Sequence, residues 1–190
     1  MGKRWMVLLL FTATAHAQKI DSADIHVLEH IALTRTPAQS KVFKFIANAN
    51  TYVNIAVPAG LLVGGIASHD RDMRMNALYV ASSTATTALL NAGLKKIFKR
   101  SRPFRAHPDF TPVITAGGYS LPSGHSSSTF SNAMAVSRAY PKWYVIAPSF
   151  LWAGAVGYSR MYLGVHYPSD VMAGAALGVG TAYSLGFIRP

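Results

Sequence analysis

The 190-residue chain contains no cysteine. That excludes a disulfide framework, thiol catalysis and Cys-ligated metals, while saying nothing of compartment, since an exported protein need not carry disulfides. Charge is also scarce: 13% of residues are charged, against roughly 25% in an ordinary soluble domain. Acidic residues are scarcest, 7 against 18 Lys and Arg. No internal repeat or low-complexity linker divides the chain, and the length suits one domain with a core. What is abundant is apolar: 51% of residues are hydrophobic and the mean hydropathy is +0.23, a membrane-leaning balance.

The resulting charge of +11 suits nucleic acid, anionic lipid headgroups or phosphorylated substrates. Lys and Arg cluster at the ends of apolar segments and no nucleic-acid-binding motif is present, so lipid and phosphate are the expected partners. No nucleic acid and no protein partner is expected.

Residues 1–17 read as a secretory signal: Lys3 and Arg4, an apolar run from Trp5 to Phe11, then Ala15-His16-Ala17 as a small-x-small cleavage site. A retained signal-anchor helix is the alternative. Residues 18–50 form an N-terminal amphipathic region, with Asp21 as an N-cap and Ile25, Leu28, Ile31 and Ala32 on one helical face. His26 and His30 stand one turn apart with Glu29 between. They are read as the polar side of that helix, and no metal ligands are assigned anywhere in the chain.

Residues 51–190 are expected to form an all-α bundle of about five core helices, membrane spans by composition: Thr51 to Ala67, Asn76 to Leu94, Ser126 to Ala139, Trp143 to Tyr158 and Val171 to Phe187. Several fall short of the ~20 residues of a comfortable span and are seeded with Ser, Thr and Gly, which suit close helix packing. If residues 18–50 lie outside, five crossings put Arg71, Arg74, Arg138, Lys142 and Arg189 inside, as the positive-inside rule requires. Residues 95–121 and 159–169 then share the outer face. The Pro- and Gly-containing stretch from Arg102 to Leu121 reads as a lid.

The chain is organised around Leu121-Pro122-Ser123-Gly124-His125, where Ser123 and Gly124 open a helix whose unpaired N–H groups point outward beside a histidine. Such a corner binds an oxyanion and can pass it a proton. Lys95, Arg102 and Arg160 can supply cations around nonbridging phosphate oxygens. Their neighbours Lys96, Lys99 and Arg100 are read as a snorkelling interfacial belt. His166 and Asp170 lie four residues apart around Pro168, in the first turn of a helix. A carboxylate there can take the proton of one imidazole nitrogen and leave the other as a nucleophile. His125 would be the general acid, and later the base for water.

In order and spacing these segments resemble the signature of the type 2 phosphatidic acid phosphatase and vanadium haloperoxidase superfamily. Its three parts, Lys-x6-Arg-Pro, Pro-Ser-Gly-His and Ser-Arg-x5-His-x3-Asp, match Lys95 to Pro103, Pro122 to His125 and Ser159 to Asp170. The resemblance implies a metal-independent phosphatase without a cofactor, working through a phosphohistidine on His166. Asp170 would orient that histidine, His125 would be the acid, and Lys95, Arg102, Ser123, Gly124 and Arg160 would hold the phosphate. The expected substrate is a lipid phosphate or isoprenyl pyrophosphate, met at the periplasmic face of the inner membrane. The alternatives are a soluble periplasmic acid phosphatase acting on small phosphomonoesters and a vanadate-dependent haloperoxidase. A non-catalytic membrane protein with a basic rim would not require His125, His166 and Asp170 at these spacings.

Overall fold

The computed structural model describes residues 21–190; the signal segment 1–17 lies outside the described residues. Helix α1 covers residues 21–33, followed by α2 (Pro37–Ala67), α3 (Arg71–Phe98), the single turn α4 (Pro103–Ala106), α5 (Gly124–Ala139), α6 (Trp143–Tyr162), α7 (Pro168–Ser184) and a 3-10 turn (Gly186–Ile188). The all-helical architecture and the five long bundle helices agree with the sequence reading. Their boundaries differ instructively.

Helix α2 fuses the second half of the N-terminal region to the first bundle helix. Thr36 caps it by accepting the Gln39 amide, Pro37 fits the first turn where its missing N–H costs nothing, and the helix continues through Pro58. Asp21 lies within α1 instead of capping it, and Ile25, Leu28 and Ile31 are buried as their spacing predicts. His26 faces Glu29 at 3.3 Å on the exposed side of α1.

The bundle distributes polarity in reverse of a water-soluble core. Its interior holds Asn50, Ser83, Thr87, Ser126, Ser127, Thr129, Ser131 and Asn132, whereas Val63, Leu89, Leu151, Met172 and Phe187 are exposed. Apart from Ser83, whose Oγ has no partner, these hydroxyls pair locally or across helices: Thr87 donates to the Ser83 carbonyl at 2.7 Å and contacts Ser131 Oγ at 3.0 Å. An apolar exterior around a small, hydrogen-bonded interior is the arrangement that lipid solvation favours. Among the described residues, two helical stretches are long and apolar enough to span by composition alone, Pro37–Ala67 and Pro168–Ile188. The 16 residues of α5 reach only about 24 Å at ~1.5 Å per residue, and its serine-rich sequence suits the centre of the bundle instead of its lipid face.

Helices α5 and α7 approach most closely. A Cβ at Gly174 would lie 2.6 Å from the Ser123 carbonyl, and one at Gly178 would overlap the Ser127 carbonyl. Glycine therefore permits a backbone contact that brings the start of α5 against the start of α7. Glycine is also required at Gly164, whose φ of +76° turns the chain from α6 back toward His166.

The segment after α4 is packed more firmly than a free lid. Phe110 is buried with Ile25, Leu28 and Tyr167, while Val113, Ile114 and Ala116 pack around Tyr162, Leu163 and Val165. Arg35 ties α1 to the same layer, donating to the carbonyls of Tyr162 at 2.9 Å and Thr111 at 2.7 Å.

Candidate active site

Up-and-down connection of the helices puts the C-terminal ends of α3 and α6 beside the N-terminal ends of α5 and α7, so the three signature segments meet. Ser123 caps α5, and its amide donates to the Asp170 carbonyl at 3.0 Å, joining the second segment to the third. Asn91 on α3 reinforces the corner by donating to the Pro122 carbonyl and Ser127 Oγ, both at 3.2 Å. Neither Asn91 nor its role stands out in the sequence, where it is one polar residue in an apolar stretch.

His166 is buried between α6 and α7. Its Nδ1 lies 3.5 Å from Asp170 Oδ2, and its Nε2 lies 3.3 Å from an Arg102 guanidinium nitrogen. Since guanidinium only donates, this network assigns the proton to Nδ1 and the lone pair to Nε2. Burial is the main cause that pushes the His166 imidazole down to about 3, and the Asp170 hydrogen bond opposes it only in part. The ring is therefore neutral across the ordinary pH range.

Asp170 is fully buried at the first turn of α7. Its Oδ2 accepts the Tyr167 amide at 2.9 Å and the Ser120 hydroxyl, and its Oδ1 accepts from Arg100 at 2.9 Å. Arg100 thus departs from the sequence reading. Lys96 and Lys99 are exposed, as an interfacial belt requires, but Arg100 turns inward. It pairs with Asp170, with Asp24 at 2.7 Å and with Asp21 at 3.3 Å, and its guanidinium lies 3.9 Å from the centre of the Tyr167 ring. Burial works against its charge, and these carboxylates more than offset that, raising its pKa above the ordinary value. Its partners on α1 are more than 70 residues away in sequence, which is why the basic run hides it. Ser120 is another residue that the sequence does not reveal.

The remaining cations surround the same space. Lys95 donates to the Tyr119 carbonyl at 2.7 Å and the Ser120 carbonyl at 3.3 Å. Arg102 is held by the carbonyls of Gly117 at 2.7 Å and Val165 at 2.7 Å, so the expected lid supplies the acceptors that aim two cations. Arg160 is buried, yet its Nε has no hydrogen-bond partner. A buried guanidinium with a free donor is costly unless an anion meets it. His125 lies on the same space, its ring against the Ala47 backbone and within electrostatic reach of Arg160, Arg102 and Lys95. His166 is likewise within reach of Arg102 and Arg160. The structure thus brings Lys95, Arg102, Ser123, Gly124, His125, Arg160, His166 and Asp170 to one end of the bundle. Among the described residues no cluster of three or more His, Asp or Glu with metal-binding geometry occurs.

A cavity of about 230 Å³ opens beside His125, lined by Asn50, Asn54, Ile55, Thr84 and Ser128. It adjoins an apolar groove of about 520 Å³ between α2 and α3, lined by Pro58, Leu62, Leu78, Ala81, Ala85 and Ala88. Asn54, Ile55 and Thr84 line both.

A helical bundle with a lipid-type exterior and a cationic pocket holding two histidines defines a membrane phosphohydrolase. Residues 76–187 match the PAP2 superfamily, and the chain belongs to that family; it is a phosphatase, a hydrolase of phosphate monoesters. It is 28% identical to phosphatidylglycerophosphatase B of Bacillus subtilis, covering 92% of this chain and 87% of that protein. It is also 28% identical to an undecaprenyl-diphosphatase of Sulfolobus acidocaldarius, covering 92% and 85%. The crystal structure of a transmembrane PAP2 type phosphatidylglycerolphosphate phosphatase from Bacillus subtilis superposes with a TM-score of 0.74 at 27% identity, over 96% of this chain and 92% of that one.

Proposed function

We propose that the protein removes phosphate from a membrane lipid or isoprenyl phosphate through a phosphohistidine on His166, at the periplasmic face of the inner membrane. The observation that carries the lipid reading is the apolar groove leading away from the His125 cavity between α2 and α3. A headgroup seated among Arg102, Arg160 and Lys95 leaves its hydrocarbon next to that groove, whereas a small soluble ester has no use for it. The lipid-phosphate substrates named for the relatives, phosphatidylglycerophosphate and undecaprenyl diphosphate, have this two-part form.

In the first step His166 Nε2 attacks phosphorus, the bond to the lipid oxygen breaks, and His125 gives that oxygen a proton. Asp170 holds the Nδ1 proton and stabilises the charge that develops on the ring. In the second step water attacks the phosphohistidine, His125 accepts the water's proton, the N–P bond breaks and inorganic phosphate leaves. Lys95, Arg102, Arg160, the Ser123 hydroxyl and the Gly124 amide hold the phosphate oxygens throughout.

Three expected results test this reading. Ala81→Trp or Ala85→Trp, which fill the groove, lower the ratio of long-chain lipid to soluble aryl phosphate hydrolysis by at least about tenfold, because remote hydrocarbon binding contributes to the reaction; an unchanged ratio removes the groove from the substrate's path. The absence of cysteine makes orientation directly measurable. A single cysteine at Pro112 is labelled by an impermeant maleimide in cells with an opened outer membrane, and one at Pro141 is labelled only after the inner membrane is breached; the reverse pattern puts the site in the cytoplasm. The nucleophile is neutral His166, lowered to about 3 by burial, so protonation removes it only as pH falls through that region. After correction for the substrate's own ionisation, kcat/KM of a soluble ester shows no loss of His166 near the ordinary histidine value of 6.5; activity lost as pH falls through that value assigns the ring a far more polar setting.

A further inference from the structure

The N-terminal helix α1 lies outside the three-part signature, yet it supplies a buried carboxylate at the back of the site. Asp24 is buried on the α1 face that also buries Ile25 and Leu28. Its Oδ1 accepts the Ser169 amide at 3.0 Å, in the first turn of α7, and its Oδ2 accepts the Ser169 hydroxyl. The same Oδ2 accepts from Arg100 at 2.7 Å, and the other terminal nitrogen of Arg100 donates to Asp170 Oδ1 at 2.9 Å and Ser169 Oγ at 2.6 Å. One guanidinium therefore bridges two buried carboxylates, one on each helix, with the Tyr167 ring stacked against it.

This arrangement exceeds what fixing α1 to the bundle requires. An apolar face would do that, and α1 already has one in Ile25, Leu28 and Ile31. A buried carboxylate is expensive unless paired, and Asp24 is paired to the two groups that touch Asp170 and begin α7. Arg100 is the fork that fixes which oxygen of Asp170 faces His166: with Oδ1 held by Arg100, Oδ2 is left to the Tyr167 amide, Ser120 and His166 Nδ1. Arginine's planar fork suits such a two-ended contact, which a lysine ammonium cannot reproduce with the same geometry.

We propose that Asp24 and Arg100 are positioning residues for the phosphoryl-transfer step, with Asp24 acting through Arg100 to orient the Asp170 carboxylate that aligns His166. The inference rests on His166 being the nucleophile. Partners that orient a metal-ligating histidine are worth about 10- to 100-fold, and a loss of the same order is expected where the oriented histidine is the nucleophile. The expected signature is a fall of that size in kcat for Arg100→Gln and for Asp24→Asn. KM of a soluble phosphate ester and inhibition by inorganic phosphate stay within about twofold, because Lys95, Arg102 and Arg160 are untouched.

The experiment compares wild type, Asp24→Asn, Arg100→Gln, Arg100→Lys and the double variant Asp24→Asn/Arg100→Gln, purified in detergent, with single-turnover formation of acid-labile phosphoprotein measured beside steady-state rates. Slower phosphoprotein formation in both single variants, partial recovery in Arg100→Lys, and a double variant no slower than Arg100→Gln alone support the chain of contacts. Wild-type rates in both single variants, or losses confined to KM, overturn it. So do losses that multiply in the double variant, which would make the two residues independent. Should Arg100→Gln fail to fold, Arg100→Lys and Asp24→Asn carry the same comparison. His166→Ala separates the two readings. Full turnover in that variant removes the proposed nucleophile, whereas an inactive His166→Ala beside wild-type Asp24→Asn and Arg100→Lys removes only the positioning role.

Discussion

His166→Ala is expected to abolish turnover, by at least about 10,000-fold, and to abolish acid-labile phosphate on the protein after brief exposure to labelled substrate. The size follows from the proposed pathway: without the imidazole, its covalent step has no nucleophile, and the surrounding cations can only polarise the phosphate. The buried ring is presented with Nε2 beside Arg102 and Nδ1 beside Asp170, so no other side chain can take its place without moving that pair. Stable label in the variant would reassign the covalent step to another residue. Turnover without label in either protein would replace the covalent route with direct attack by water.

His125→Ala is expected to slow hydrolysis of an alkyl phosphate by about 100- to 10,000-fold, the usual contribution of a placed acid, with a loss that depends on the leaving group. An alkoxide departs poorly without a proton, while a nitrophenolate departs readily. The first step should therefore recover with p-nitrophenyl phosphate, and a burst of nitrophenolate should precede a slow steady state, since the same histidine is needed as base for water. A uniform loss across leaving groups would place His125 in phosphate binding instead. The cavity beside it is lined by Asn50, Asn54 and Ser128, and on the proposed reading it offers the space for the departing oxygen and then the water.

Much of this was legible in the chain because signature residues fall at helix ends, and end residues are marked by sequence. Ser123 before a glycine, Pro168 two residues before Asp170, and basic residues closing α3 and α6 each announce a boundary whose unpaired backbone groups point one way. Five helices could be counted for the same reason. The start of α2 was missed because Asn50 marks the change from the amphipathic pattern to the apolar one, which reads as a boundary between two helices; it faces inward, where it accepts from Thr129. Arg100, Ser120 and Asp24 were hidden differently. Each is defined by a partner far along the chain, and Arg100 stands beside Lys96 and Lys99, which are solvated. Sequence order cannot say which member of a basic run turns inward.

The close contact between α5 and α7 divides the molecule mechanically. Gly174 and Gly178 let the two backbones touch, and Ser123 is tied to Asp170 across the same seam, so His125 and His166 sit on parts that cannot slide past one another. On the proposed lipid reading, breathing motions that admit a long hydrocarbon would come from the opposite side, where α2 borders the groove. A detergent tail lodged there would compete with substrate while leaving the reacting groups in register. Slow assays in one micelle and fast ones in another would then report occupancy of a side door, with the chemistry behind it unchanged.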